Sequence, residues 1–228
     1  MQKNSAFFYG YVIVICSFFI LIVTFGTLYS FGVFFNRLRD DLGWTAAVTS
    51  TGYSMSQIFG GITGIITGRL SDKFGPRLIV LACGIILALG CFLMSQVNHV
   101  WQLYIFFGAF VGIGVGGSSI ALASTTARWF KKRRGLMNGI AVAGIGTGTV
   151  IMPPLANYLL TLYDWRLSFV IVGLMALVVV IPSALFLKRD PSKMGLLPDG
   201  VRGTASTEKV LPESGMSFRE SIRTRQFL

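Results

Sequence analysis

Six apolar stretches dominate the chain: Phe8–Phe35, Trp44–Thr67, Leu78–Val97, Trp101–Ala127, Leu136–Leu160 and Leu167–Leu187. A run of about 20 apolar residues crosses the hydrocarbon core of a bilayer as one helix. Inside that core there is no water to satisfy backbone N–H and C=O groups, and a helix satisfies them within the segment. A β-barrel would need short strands of alternating polarity instead. The expected fold is therefore all-α and integral to the membrane, with six transmembrane helices. The first stretch is too long and starts too late for a cleaved signal peptide, and no small-residue cleavage site follows an early short apolar core. Charged residues make up 13% of the chain, against about 25% in an average soluble domain.

The formal net charge is +11, which taken alone would fit a nucleic-acid partner. Its distribution excludes that reading. Lys and Arg alternate between connectors. The first, third and fifth connectors hold three of them (Arg37, Arg39 and Arg166), and the other connectors and the two ends hold the remaining 17 of 20. By the positive-inside rule both termini are expected in the cytoplasm, and in a bacterium this implies the inner membrane. The run Lys131, Lys132, Arg133 and Arg134 then reads as a cytoplasmic anchor that meets anionic lipid. The three cysteines, Cys16, Cys83 and Cys91, all fall inside apolar stretches without CxxC spacing, so they read as small packing residues. No metal or cofactor is expected.

Glycines recur at four-residue steps: Gly60, Gly64 and Gly68; Gly108, Gly112 and Gly116; Gly135 and Gly139, then Gly144 and Gly148. Each set offers a flat stripe for close approach of a neighbouring helix. Pro153 and Pro154 remove two backbone donors and are expected to kink or break the fifth span. After Leu187 the chain turns polar and rich in Pro and Gly, so residues 1–187 read as a six-span bundle and 188–228 as a mostly disordered cytoplasmic linker. Ser217–Arg225 reads as a short amphipathic helix, and the last residues resemble the approach to a further span. Three spans plus three spans of opposite orientation is the arithmetic of an inverted repeat.

Gly68–Arg77, GRLSDKFGPR, is a charged connector between the second and third spans. Gly68 and Gly75 are expected to allow a tight reversal, and Pro76 to open the third span, where a first-turn proline costs no hydrogen bond. Asp72 is its one acid, able to pair with Arg77 or to face a helix N-terminus. The spacing of Gly68, Asp72, Lys73, Gly75 and Arg77 resembles the signature of the major facilitator superfamily of secondary transporters. FFYGYVIV, TLYSFGVFF, ARWFKKRRGLMNGIAVAG, YDWRLSF and KRDPSKMGLLPDG resemble its bacterial monocarboxylate and oxalate/formate branch. The resemblance covers the whole chain but only half of a typical twelve-span member. It implies the N-terminal six-helix bundle of that fold, rocking against a second, missing bundle around a central site to expose it alternately to either side. It also implies a gating role for the five signature residues, with Asp72 capping a helix of the other bundle, and small organic anions such as monocarboxylates as substrates.

The spans carry no Asp, Glu, Lys, Arg or His in their central portions, where an ionisable group would mark a substrate or proton site. The chain departs here from the many members with an Arg in the fourth span. Uncharged polar residues remain as candidates for the substrate pathway: Tyr29, Gln57, Ser119, Asn138 and Thr147, with Tyr53 one turn from Gln57. The resemblance puts Tyr29 and Ser119 at lining positions, with Gln57 close by. Helix-to-helix hydrogen bonding, or for the serines a bond back to their own helix, is the alternative for each. A rhomboid-like protease or an aquaporin-like channel is excluded, because neither a GxSG serine with an intramembrane histidine nor paired Asn-Pro-Ala half-helices occur. A non-transporting six-span fragment from a truncated reading frame stays open at this stage.

Overall fold

A computed structural model describes residues 8–191 and Asp199. The N-terminal arm, most of the expected linker and the expected Ser217–Arg225 helix lie outside the described residues. Six long helices follow one another: α1 (Gly10–Leu42), α2 (Ala46–Phe74), α3 (Pro76–Met94), α4 (Val100–Trp129), α5 (Arg134–Leu162) and α6 (Trp165–Leu185). Within α4, Tyr104–Val111 is wound as a π-helix. Among the described residues there is no strand.

Four helices overrun the apolar stretches that predict them. Helices α1, α2, α4 and α5 have 33, 29, 30 and 29 residues, about 45–50 Å at 1.5 Å per residue, against a hydrocarbon core of about 30 Å. The charged segments Arg37–Asp41 and Arg69–Lys73 are therefore the last turns of α1 and α2, not loops. Gly68 lies inside α2, and only Gly75, at φ +88°, supplies the reversal that the sequence assigns to both glycines. Pro76 is the first residue of α3, as expected. Among the described residues, five helices are long and apolar enough to cross a membrane. Helix α2 has the length, but it interleaves Ile and Phe with Ser, Thr, Gly and, in its last turns, charge.

The principal pairings are α1 with α5, α2 with α4 and α3 with α6, while α3 also packs on α4 and α1 on α6. Glycine makes the first two close. A Cβ on Gly144 or Gly148 of α5 would stand 2.4 Å from the Phe18 carbonyl oxygen or 2.3 Å from that of Ile22 on α1. On α4, a Cβ at Gly112 would stand 2.5 Å from the Ser56 carbonyl oxygen of α2. Gly135 and Gly139, read as part of the same packing stripe, instead face open space. They precede the region where α5 meets Phe18 and Ile22, so no backbone approaches them.

Of the expected kink or break, a break does not occur: α5 runs on as helix through Pro153 and Pro154. Each proline removes only one donor, and membrane helices tolerate that loss where surrounding structure holds the rest of the turn. Two buried clusters fill the bundle. Phe34, Phe107, Trp165 and Phe169 lie towards the end that carries the α1–α2, α3–α4 and α5–α6 connectors. Ile20, Val80, Trp129 and Phe130 lie towards the other. All three cysteines are buried, consistent with the packing role read from their positions.

Candidate functional site

A groove of about 550 Å³ is shared by α1, α2 and α4. Phe25 and Leu28 of α1 form its apolar wall. Ser56, Gln57, Gly60, Gly61 and Gly64 come from α2, and Gly112, Val115, Gly116 and Ser119 from α4. The glycines create this shape. Gly60, Gly112 and Gly116 let α2 and α4 touch backbone to backbone, while Gly61 leaves the adjoining position empty. Among the described residues, no ionisable side chain lines the groove.

A second groove of about 290 Å³ is lined by Tyr29, Phe31, Gly32, Phe35, Ser50 and Tyr53. The two meet through two residue pairs. The rings of Phe25 and Tyr29 stack at 6.3 Å, and the Gln57 side-chain amide donates to the Tyr53 hydroxyl at 3.2 Å. Tyr29, Gln57 and Ser119, three of the five residues expected along the pathway, thus fall on one continuous concave face. Ser119 is half-exposed there, and its hydroxyl donates to the Gly116 carbonyl at 2.9 Å. Ser118 is buried and donates to Gly114 at 2.6 Å, the back-bonded arrangement that is the alternative reading of both serines.

Asn138 and Thr147 lie on α5 and line neither groove. Thr147 donates to its own helix at Ala143, 3.0 Å away. The Asn138 side-chain oxygen is buried without a hydrogen-bond partner among the described residues. Ser56, Gly61, Phe25 and Leu28 complete the groove and were not singled out from the sequence. Only the three-dimensional packing of α1 and α2 around α4 brings them to one surface.

At the end that holds Phe8 and Leu187, the five signature residues surround the α2–α3 junction. Gly68 rests on the Ile120 side chain of α4, 3.5 Å from where its Cβ would be. Lys73 lies over the Phe74 ring at 5.2 Å. The Gly75 N–H donates to the Ser71 carbonyl at 3.0 Å. Asp72 pairs not with Arg77 but with Arg128 of α4, and Arg77 has no ion-pair partner among the described residues. Residues four apart share a helix face, so Asp72 lies on the same α4-facing side as Gly68. Arg128 lies two turns beyond Ile120 on α4 and meets it there. Arg128 also stands 3.6 Å from Asp190, just past α6. In the sequence Arg128 is only one of the 17 Lys and Arg outside the first, third and fifth connectors, because nothing local reveals its two acidic partners.

The Asp72 and Arg128 side chains are 59% and 31% exposed. Ion pairs this wet contribute about 0.2–1 kcal/mol. Asp72→Asn is accordingly expected to lower the bundle's stability by less than about 1 kcal/mol, measured by thermal unfolding in detergent. A loss above about 2 kcal/mol would give the pair a structural role that its exposure does not support.

Lys131, Lys132, Arg133 and Arg134 are all exposed on the same end, with Arg134 opening α5. The N–H groups of Lys131 and Lys132 donate to Asp199 at 3.0 and 2.8 Å. The Lys132 N–H, with those of Lys131 and Arg133 and the Lys132 charge, holds the Asp199 carboxyl below the usual carboxylate range, and partial burial opposes them.

Six helices paired through glycine, a wet ion pair at the α2–α3 junction and a groove without charge describe an all-helical bundle with one concave, uncharged face. The Major Facilitator Superfamily family model matches residues 10–228, and the chain belongs to that superfamily. It is 34% identical over 191 residues to monocarboxylate transporter 13 of Bos taurus, covering 80% of this chain and 44% of that protein. It is 31% identical over 205 residues to the oxalate:formate antiporter of Oxalobacter formigenes, covering 89% and 46%. The chain thus spans less than half the length of these relatives. The fold is similar, at TM-score 0.69 and 18% identity, to the crystal structure of a bacterial homologue of the human lysosomal transporter Spinster in an inward-facing, unoccupied conformation. That match covers 98% of this chain and 49% of the other.

Proposed function

We propose that this chain is the N-terminal six-helix half of a secondary transporter for small organic anions, monocarboxylates first among them, working by alternating access against a second six-helix bundle. The observation that carries this reading is the groove of α1, α2 and α4. It is concave and lined by glycines, apolar side chains and the uncharged polar groups of Ser56, Gln57 and Ser119. A groove of this kind forms half of a site whose other wall is supplied elsewhere. The names of the relatives, monocarboxylate transporter and oxalate:formate antiporter, support the substrate class.

In this reading Tyr29, Gln57 and Ser119 line the pathway, and Asn138 and Thr147 on α5 face it only when the second bundle is present. The helix pairings support a 3+3 inverted repeat. Exchanging helices 1, 2, 3 with 4, 5, 6 turns the α1–α5 pair into α4–α2 and the α3–α4 pair into α6–α1, and all four are observed. Residues 1–187 form the bundle, with α2 as its sixth span, and 188–228 lead on from it. Both ends lie in the cytoplasm, in a bacterium below the inner membrane, with Lys131–Arg134 against anionic lipid. Gly68, Asp72, Lys73, Gly75 and Arg77 form the gate. A weak, exposed Asp72–Arg128 pair suits a contact that breaks and re-forms as the bundles rock.

The test is uptake of labelled lactate, pyruvate, formate and oxalate into liposomes. The 228-residue chain alone is expected to give no saturable uptake above empty liposomes. An anion entering its groove loses hydration without meeting a cation, and an uncompensated buried charge is strongly unfavourable. Supplying a second six-helix bundle in trans is expected to produce uptake. Saturable uptake by the chain alone would refute the half-site reading, and none from the assembled pair would count against transport of these anions.

A further inference from the structure

Beyond α6 the backbone does not simply leave the bundle. The Phe186 carbonyl accepts the Tyr9 hydroxyl at 2.7 Å, and the Lys188 carbonyl accepts the Trp129 indole N–H at 2.9 Å. The Lys188 ammonium lies 4.7 Å from the centre of the Tyr9 ring. Asp190 then reaches Arg128 at 3.6 Å. Nine residues further on in sequence, the Asp199 carboxylate accepts the N–H groups of Lys131 and Lys132 in the α4–α5 connector.

We infer that Asp199 is a clasp: its carboxylate ties the chain beyond α6 to the α4–α5 connector, beside the start of α5. Three observations carry this. First, the two N–H groups precede α5 and have no helical acceptor of their own, so one carboxylate satisfies both. Second, the connector also carries Lys131, Lys132 and Arg133, followed by Arg134 at the start of α5, and these charges strengthen a bond to an anionic acceptor. Third, Asp199 is at φ +63°, the one non-glycine positive φ among the described residues. Aspartate is one of the few side chains that adopts this conformation readily. Phe8, Tyr11, Phe130, Lys132 and Arg133 border the cavity into which Asp199 reaches.

The clasp changes what the basic connector does. Two of its backbone donors are committed to the protein's own chain, leaving the exposed side chains for lipid. On the transporter reading above, which the test below does not depend on, a pull from the following bundle would act on the N-terminus of α5 and not on α6.

Hydrogen exchange read by mass spectrometry on the full 228-residue chain in detergent tests this. Asp199→Gly removes the carboxylate while favouring the left-handed backbone, and Asp199→Asn keeps the shape and one acceptor oxygen without the charge. In the glycine variant the amides of Lys131 and Lys132 are expected to exchange about tenfold faster or more, as loss of a hydrogen bond to a charged acceptor implies. The asparagine variant should fall between, and peptides from α1 and α6 should be unchanged. Unaltered exchange at Lys131 and Lys132 in the glycine variant would overturn the clasp. So would a uniform acceleration across all helices, because Asp199 would then support the whole bundle and not one connector.

Discussion

Gly148→Val is expected to destabilise the bundle by about 3 kcal/mol, at the upper end of what overpacking a close-fitted interior costs. A Cβ at this position would lie 2.3 Å from the Ile22 carbonyl oxygen and 3.0 Å from the Ile22 Cα and carbonyl carbon. These are backbone atoms of α1, which cannot rotate away as a side-chain tip can. Relief requires α1 and α5 to separate, and Gly144, one turn earlier, is locked to Phe18 in the same way. The whole α1–α5 seam would therefore open, not one contact. Gly139→Ala is the control on the same helix. It faces open space, and replacing a helical glycine by alanine gains up to about 1 kcal/mol. Thermal unfolding of the purified chain in one detergent should move the two variants in opposite directions. If Gly148→Val unfolds no earlier than Gly139→Ala, the interhelical contact carries no energy.

The contrast between those two glycines also marks how far the sequence can be read. Four-residue spacing is the same for Gly135–Gly139 and for Gly144–Gly148, because spacing records a helix face and not what lies opposite it. The seam is defined only when α1 arrives. The helices themselves were legible from apolar length, but their ends were not. A charged turn such as Arg69–Lys73 can continue a helix once it has left the hydrocarbon, where water or an ion pair satisfies its side chains. The groove was partly legible. Tyr53 and Gln57 sit one turn apart on α2 and do bond to each other. Gly61 and Ser56 gave no signal, because their part is to leave space or to present a carbonyl, which no residue type announces. Arg128, Arg166 and Asp199 were hidden for a third reason. Their partners are all 56 or more positions away in the chain, and a count of Lys and Arg treats the two arginines as topogenic residues and passes over Asp199.

Arg166 provides the sharper test of that last point. It is the second residue of α6, and its guanidinium donates to the Ser95 carbonyl at 2.9 Å, the Val97 carbonyl at 3.3 Å and the Asn98 side-chain oxygen at 3.0 Å. Ser95 and Val97 follow the end of α3, where carbonyls lack helical partners and the helix dipole is negative. The same guanidinium covers the Trp165 ring at 4.3 Å. Trp165 is buried, and its indole N–H reaches Asp41 at the end of α1 at 2.6 Å. One side chain thus fastens α6 to the α3–α4 connector and steadies the aromatic that joins α6 to α1. Arg166→Ala leaves two half-buried carbonyls without donors and uncovers the ring, for an expected loss of about 2–4 kcal/mol. Arg166→Lys separates charge from geometry. A residue that acts only through its positive charge tolerates lysine, whereas a fork holding three acceptors does not, since an ammonium cannot present the same planar set of donors. The lysine variant is therefore expected to lose about half of what alanine loses, measured as the drop in unfolding temperature in detergent. Lysine performing as well as arginine would reduce Arg166 to a counter-charge at the end of α3.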